Sequence, residues 1–299
     1  MRKCNQESKL PSIPTVMERG DYEDYESLPK QRTIKGGESM RVIVADDYEI
    51  MSKEAAKIVA DQIRKRRDSV FALPTGGTPV GLYAELIRMH KEEGLDFSRV
   101  FMFNLDEYIG LPEDHESSYH FYMYDKFFNH VNVTRDKVHI PHGLAEDPEE
   151  EAADYEWAIK RVGGIDLGVL GIGRNGHIGF NEPKTEFGSS TRPIYLAKRT
   201  IEANARFFEG DHEAVPRRAI SMGIRTIMNS RKIILLANGT EKSHAIYQTV
   251  HGPVTEMVPS SVLQLHPDCT LILDKDAACE LEPSPNGFVP GPGIRTMVY

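Results

Sequence analysis

Ile165-Asp-Leu-Gly-Val-Leu-Gly171, running directly into Ile172-Gly-Arg-Asn-Gly-His-Ile-Gly-Phe-Asn-Glu-Pro183, is the stretch on which the fold turns. Its first half is a short apolar run that reads as a buried strand, and its second half is too rich in glycine and polar residues to continue it. A strand that ends in a polar glycine loop is the pattern of a parallel sheet, whose ligands sit beyond the carboxyl ends of the strands. The loop opens as G-x-G-x-x-G, the spacing of dinucleotide-binding turns. Such a turn should start a long helix and be followed about 20 residues on by an acidic ribose ligand. Here His177, Gly179 and Pro183 follow, which make a poor helix interior, and the dinucleotide reading is rejected. What remains is a loop presenting Asn175, His177 and Glu182 together. A histidine with a carboxylate and an amide to fix its tautomer suits acid–base catalysis near neutral pH. A lone histidine would more often be structural; the company of Asn175 and Glu182 favours function.

Outward from this loop, apolar β-branched runs alternate with segments of helical period. Strands are predicted at Arg41–Ala45, Ser69–Leu73, Val100–Asn104, Ile165–Gly171, Lys232–Ala237 and Thr270–Leu273. Helices are predicted at Glu49–Arg66, Pro79–Glu93, Pro148–Val162 and Thr240–Val250. This alternation predicts an α/β fold, a mostly parallel sheet covered on both faces. There is no internal repeat. Residues 1–39 are polar, proline-punctuated and without hydrophobic period, and read as a disordered leader. Met40 is an alternative start, because Lys35-Gly-Gly-Glu-Ser can be encoded by a purine-rich stretch resembling a bacterial ribosome-binding site. Residues 40–281 read as the catalytic domain, and the Pro- and Gly-rich residues 282–299 as a loose tail.

The chain of 299 residues is long enough for one large domain or two small ones. Its 36 basic and 45 acidic residues give a net charge of -9, which argues against nucleic acid or an anionic membrane as the main partner. Any phosphate must therefore be held locally. Cys4, Cys269 and Cys279 have no metal-ligand or redox spacing, which fits a reducing, cytoplasmic setting. No apolar run approaches the length of a transmembrane helix. A homo-oligomer is left open, since interface residues cannot be told from ordinary surface apolar ones.

Two further strand ends are polar. At Leu73-Pro-Thr-Gly-Gly-Thr-Pro79 a strand gives way to a glycine turn ahead of a helix. Free backbone N–H groups around Gly76 and Gly77, with the Thr75 and Thr78 hydroxyls, make a phosphate cradle, although a plain strand-to-helix turn needs no more than the two glycines. At Phe103-Asn-Leu-Asp-Glu-Tyr108 two adjacent carboxylates follow a buried strand. Burial would raise the pKa of Asp106 toward that of a useful base; the competing reading makes Asp106 a helix cap. Arg206 and Lys242 are candidate cations for a bound phosphate. His266 has no acid or nucleophile beside it and reads as structural.

Taken together, Pro74-Thr-Gly-Gly-Thr-Pro79, Asn104-Leu-Asp-Glu-Tyr108, Gly173–Pro183, Ser221-Met-Gly-Ile224 and Leu263-Gln-Leu-His-Pro267 resemble the glucosamine-6-phosphate deaminase family in order and spacing. The resemblance covers roughly residues 40–281. It implies a modified Rossmann-like αβα sandwich, no cofactor and no metal. The implied reaction is aldose–ketose isomerisation with deamination, taking glucosamine 6-phosphate and water to fructose 6-phosphate and ammonia. In that chemistry His177, held by Glu182 and Asn175, opens the sugar ring, and Asp106 moves the C2 proton. Phosphate contacts fall on Gly76, Gly77, Arg206 and Lys242, with Thr75 and Thr78 beside them. Residues 184–216 correspond to a mobile active-site lid.

Some positions depart from the family pattern. Asn175 stands where some members have Asp, Ile194 replaces a lysine and Thr185 a serine of the activator site of regulated members, while Arg192 is retained. Arg225 falls where glycine is usual. Three rivals remain: a galactosamine-6-phosphate deaminase, a 6-phosphogluconolactonase and a non-catalytic sugar-phosphate sensor. The lactonase would need a basic residue soon after the acid, where this chain has Tyr108. The sensor predicts loss of an acid or base, whereas Asp106, His177 and Glu182 are all present.

Overall fold

Short apolar strands and helices alternate along the chain in the computed structural model, which describes residues 40–205, 208–281, 289–291 and 294–298. The leader call on residues 1–39 lies outside the described residues. β1 (Arg41–Ala45) is followed by α1 (Tyr48–Lys65), whose first turn is closed by the Asp47 carboxylate accepting the Ile50 N–H at 2.8 Å. β2 (Val70–Leu73) leads to α2 (Val80–Glu93), which begins after Pro79 and stops at Gly94, where φ is +70°. β3 (Phe101–Asn104) and the short β4 (Asp106–Tyr108) precede α3 (Tyr119–Lys126), capped by Ser118, and β5 (Val138–His139). Asp147 and Pro148 open α4 (Pro148–Arg161), with three glutamates in its first turn and Lys160 and Arg161 in its last, matching the helix dipole.

β6 (Leu167–Leu170), β7 (Arg192–Tyr195), α5 (Lys198–Asn204) and β8 (Arg218–Ser221) come next. α6 (Ile224–Met228), β9 (Lys232–Ala237), α7 (Ser243–His251) and β10 (Cys269–Asp274) follow. Strands β1, β10, β9, β6, β2, β3 and β5 lie side by side in that order and are all parallel. The predicted parallel sheet is present, with each predicted strand within two residues of its expected bounds. Two features differ from expectation. Residues read as a loose tail contribute β11 (Val289–Gly291) and β12 (Ile294–Val298), and β12 pairs antiparallel with β1. A second, three-stranded antiparallel sheet, β4-β8-β7, stands beside the main one. Its strands are three or four residues long, too short for alternation to reveal.

Alternate side chains of the parallel strands enter opposite layers. Val42, Ile233, Leu235 and Leu271 pack with α4, α6 and α7, while Ile43, Ile234, Leu236 and Ile272 pack with α1, α2 and α3. At the amino ends of the strands a buried carboxylate joins three of them. Asp166 accepts from Arg66 at 2.7 Å, from Arg231 at 2.9 Å and from the Val70 N–H at 2.9 Å. This lies at the end of the sheet opposite to the polar loops. Replacing Asp166 with alanine leaves the Val70 N–H without that acceptor, while both guanidiniums keep access to water. The expected loss is about 2 kcal/mol, with turnover retained at low temperature, as read by denaturant melts and an activity assay.

Candidate active site

Four neighbouring strands, β9, β6, β2 and β3, deliver their carboxyl-end loops to one open cavity of about 1030 Å³. Asp106 and Tyr108 line it after β3, Thr75, Gly76, Gly77 and Thr78 after β2, Asn175 and His177 after β6, and Asn238 and Lys242 after β9. Residues far apart in sequence converge here because parallel strands all point the same way.

The period of two along β4 separates the adjacent carboxylates. Glu107 is 3% exposed and turns away from the cavity to accept the N–H groups of Tyr119 at 3.0 Å, His120 at 2.8 Å and Tyr108 at 2.8 Å. It thereby anchors the start of α3. Burial pushes its carboxyl up to about 7 against the lowering effect of these three donors. The helix-end role weighed for Asp106 therefore belongs to Glu107. Asp106 lines the cavity at 6% exposure, and burial, followed by the neighbouring Glu107 charge, raises it to about 8. No hydrogen bond to its carboxylate is present among the described residues.

The loop after β6 is shaped by its histidine. An added Cβ on Gly173 would lie 2.1 Å from the His177 ring, so the imidazole occupies the space a side chain would need. Gly176 turns the chain at φ +82°, and the Gly173 N–H donates to the His177 carbonyl at 2.9 Å. These contacts, not a pyrophosphate, account for the glycine spacing. Asn175 Nδ2 donates to Glu182 Oε2 at 2.7 Å, which aims Asn175 Oδ1 at His177 Nδ1, also 2.7 Å away. An amide oxygen can only accept, so the neutral ring carries its proton on Nδ1 and leaves Nε2 as the basic nitrogen. Glu182 Oε1 lies 3.5 Å from the same Nδ1. Burial alone would raise Glu182, but His177, Thr200 and Asn175 outweigh it and hold the carboxyl at about 2, an anion at neutral pH. Asn175, in place of an aspartate, thus passes on the orientation set by the charged Glu182.

Across the cavity, the Tyr122 hydroxyl donates to the Gly76 carbonyl at 2.5 Å and the Thr78 hydroxyl to Asn238 at 2.7 Å, fixing the glycine turn from both sides. Gly76 has φ +99°, and nothing lies within 4 Å of an added Cβ at Gly76 or Gly77, so the turn faces open space. Lys242 lines the cavity; Arg206 lies outside the described residues. Sequence reasoning missed Arg199, Thr200 and Asn204 of α5, which also line it, along with Tyr48 and Tyr119. Their signal was weak, because α5 is only seven residues long and has no side-chain cap at its start. The segment 184–216 supplies β7 and α5, and α5 forms one wall. Arg225 bonds the Ser190 hydroxyl and is not among the cavity-lining residues. Arg192 donates to Asn181 at 3.1 Å and to the Ser190 carbonyl at 3.3 Å. His266 is structural as expected, bonded to the Ser230 carbonyl at 2.8 Å and to the Asp268 N–H at 3.1 Å.

Comparison with known proteins agrees with this arrangement. The family described as Glucosamine-6-phosphate isomerases/6-phosphogluconolactonase matches residues 48–272. A glucosamine-6-phosphate deaminase of Thermoanaerobacter pseudethanolicus is 53% identical over 239 residues, covering 80% of this chain and 94% of the relative. One from Clostridium novyi is 52% identical over 242 residues, covering 81% and 100%. Among solved structures, a monomeric glucosamine-6-phosphate deaminase aligns with a TM-score of 0.79 at 45% identity, covering 80% of this chain and 99% of that one. The 6-phosphogluconolactonase of Trypanosoma cruzi aligns at 0.66 and 22% identity, covering 82% and 98%, a likeness of fold alone. The chain belongs to the family of glucosamine-6-phosphate isomerases and 6-phosphogluconolactonases.

Proposed function

We propose that the protein is an enzyme that converts glucosamine 6-phosphate and water to fructose 6-phosphate and ammonia. The observation that carries this reading is the pairing, in one cavity, of a buried, otherwise unbonded carboxylate, Asp106, with the oriented imidazole of His177. The relatives named for this activity support it.

In the first step His177 Nε2 takes the proton of the C1 hydroxyl and returns it to the ring oxygen, so that the pyranose opens to the aldehyde. Asn175 and Glu182 keep the ring in the tautomer this needs and stabilise the transient imidazolium. Asp106 then removes the C2 proton; the C2–H electron pair becomes the C1–C2 double bond, the C1 carbonyl electrons move onto its oxygen, and that oxygen takes a proton from the substrate's C2 ammonium, giving a neutral enolamine. Returning that proton to C1 leaves a C2 iminium. Water adds at C2 and ammonia leaves, giving the ketose. A base with its pKa raised toward neutrality suits removal of a carbon-bound proton. The amides of the Gly76–Gly77 turn, at the start of α2, with Lys242 and Arg206, take the phosphate in this reading. Residues 184–216 close over the sugar and exclude water from the enolamine. In this reading the setting is cytoplasmic, which the free thiols of Cys269 and Cys279 support; no helix of the described residues is long and apolar enough to cross a membrane.

Purified protein incubated with glucosamine 6-phosphate and no added cofactor should release ammonia and fructose 6-phosphate in equal amounts, and absence of both products would refute the reading. Galactosamine 6-phosphate and 6-phosphogluconolactone, run beside it, should be poorer substrates. The Asp106→Asn variant should bind substrate, lose at least about a hundredfold in turnover and fail to exchange the C2 proton with solvent. In the parent, kcat/KM should rise with pH through a midpoint near 8 as Asp106 ionises. The same shift has a stability consequence. A carboxyl raised in the folded state favours folding only while it is protonated, so its contribution falls as pH climbs from about 4 to about 8. The Tm advantage of Asp106→Asn over the parent should therefore be small near pH 4 and largest near pH 8. Gly173→Ala should push the His177 ring out of place; circular dichroism should stay native while turnover drops by at least about tenfold.

A further inference from the structure

Three donors converge on the Glu182 carboxylate, and they come from two parts of the chain. Asn175 belongs to the same loop as Glu182 and bonds Oε2; His177, also of that loop, stands near Oε1. The third, the Thr200 hydroxyl, comes from α5 and donates to Oε1. Thr200 is 7% exposed, within a helix whose neighbouring Arg199 is exposed and lines the cavity. One helical turn later, on the same face of α5, Asn204 Nδ2 donates to the Tyr108 hydroxyl at 2.7 Å. Tyr108 is in β4, two residues from Asp106 and on the same side of that strand. A single short helix is thus bonded both to the histidine group and to the strand that carries the base.

The Thr200 bond reinforces an orientation that the loop holds only through a long bond, the His177 backbone N–H donating to Asn175 Oδ1 at 3.3 Å. A carboxylate can turn about its last bond, and His177 Nδ1 lies closer to Asn175 Oδ1, at 2.7 Å, than to Glu182 Oε1, at 3.5 Å. A rotated Glu182 would no longer hold Asn175 Nδ2, the amide could reverse, and Nδ1 would then meet a donor instead of an acceptor. That reversal would move the ring proton to Nε2 and remove the basic nitrogen from the cavity.

We propose that Thr200 is a positioning residue for ring opening: from α5 it fixes the Glu182 carboxylate, and through it the Asn175 amide and the His177 tautomer. The proposal rests on the deaminase reading for its kinetic consequence, though not for its structural one. Three proteins decide it: the parent chain, Thr200→Val, which keeps the shape and removes the hydroxyl, and Thr200→Ser, which keeps the hydroxyl. Turnover of glucosamine 6-phosphate is measured with inhibition by the acyclic 2-amino-2-deoxyglucitol 6-phosphate, which has no ring to open. The imidazole 15N resonances of His177 report the tautomer directly.

Thr200→Val should lose about tenfold in kcat, with the inhibition constant of the acyclic compound changed less than about twofold, while Thr200→Ser stays within about threefold of the parent. The His177 resonances should move from an Nδ1–H tautomer toward a mixture in the valine variant alone. Unchanged kcat and tautomer in Thr200→Val would overturn the proposal. So would a parallel loss of kcat and inhibitor binding, or failure of serine to restore, since either points to a displaced helix. Should the parent itself fail to turn over glucosamine 6-phosphate, the deaminase reading falls, and the 15N spectra still decide the role of Thr200.

Discussion

A strand covered by helices on both faces has no place along its length for a polar side chain, and this constraint orders the whole molecule. β2, β6 and β10 are buried at every position, and β9 at all but its first. Polar chemistry is therefore expelled to the strand ends. At the amino ends it becomes structural, with Asp166 joining Arg66, Arg231 and the Val70 amide. At the carboxyl ends the loops are longer and their residues converge across four adjacent strands. The same exclusion that makes the interior stable thus makes one edge of it reactive.

Within that edge, two neighbouring carboxylates divide the work because β4 has a two-residue period. Glu107 spends its charge on three backbone amides, and Asp106, one residue earlier, receives none of them. A buried carboxyl without donors keeps more of its affinity for a proton than one that accepts three, and Asp106 stands at about 8 against about 7 for Glu107. The protein accepts an unfavourable group at Asp106 and secures the strand that holds it through Glu107 and through the pairing of Asp106 with Ser221 in β8. His177 shows the opposite strategy. Its partners are complete on one side, through Asn175 and Glu182, so that only the other nitrogen is left for chemistry.

Much of this was legible in the residues. The parallel sheet could be read from runs such as Lys232–Ala237, and the histidine group from Asn175, His177 and Glu182, because each signal lies within one continuous stretch. The glycine stretch is followed by turns and not by the long helix of a dinucleotide fingerprint, and the His177 ring fills the space beside Gly173. What could not be read depends on partners distant in sequence. The pairing of β4 with β8 joins residues more than a hundred positions apart, and Thr200 and Asn204 acquire meaning only from Glu182 and Tyr108. The division between Asp106 and Glu107 was equally hidden, since it depends on which face of a three-residue strand meets α3. The tail was misread because Pro290 and Gly291 look like breakers, although at the rim of a sheet neither residue needs to give a bond on both sides.

The hairpin formed by β11 and β12 also determines how the molecule ends sideways. Without it, β1 would present five residues of open ladder, the kind of template on which a foreign strand can grow. With it, the outermost strand on that side among the described residues is the three-residue Val289-Pro290-Gly291, whose proline has no N–H to offer, and on the far side the described sheet finishes in the two-residue β5. Both margins are therefore poor seeds for cross-molecular sheet growth, and the long parallel sheet between them is protected from aggregation by its least regular strands.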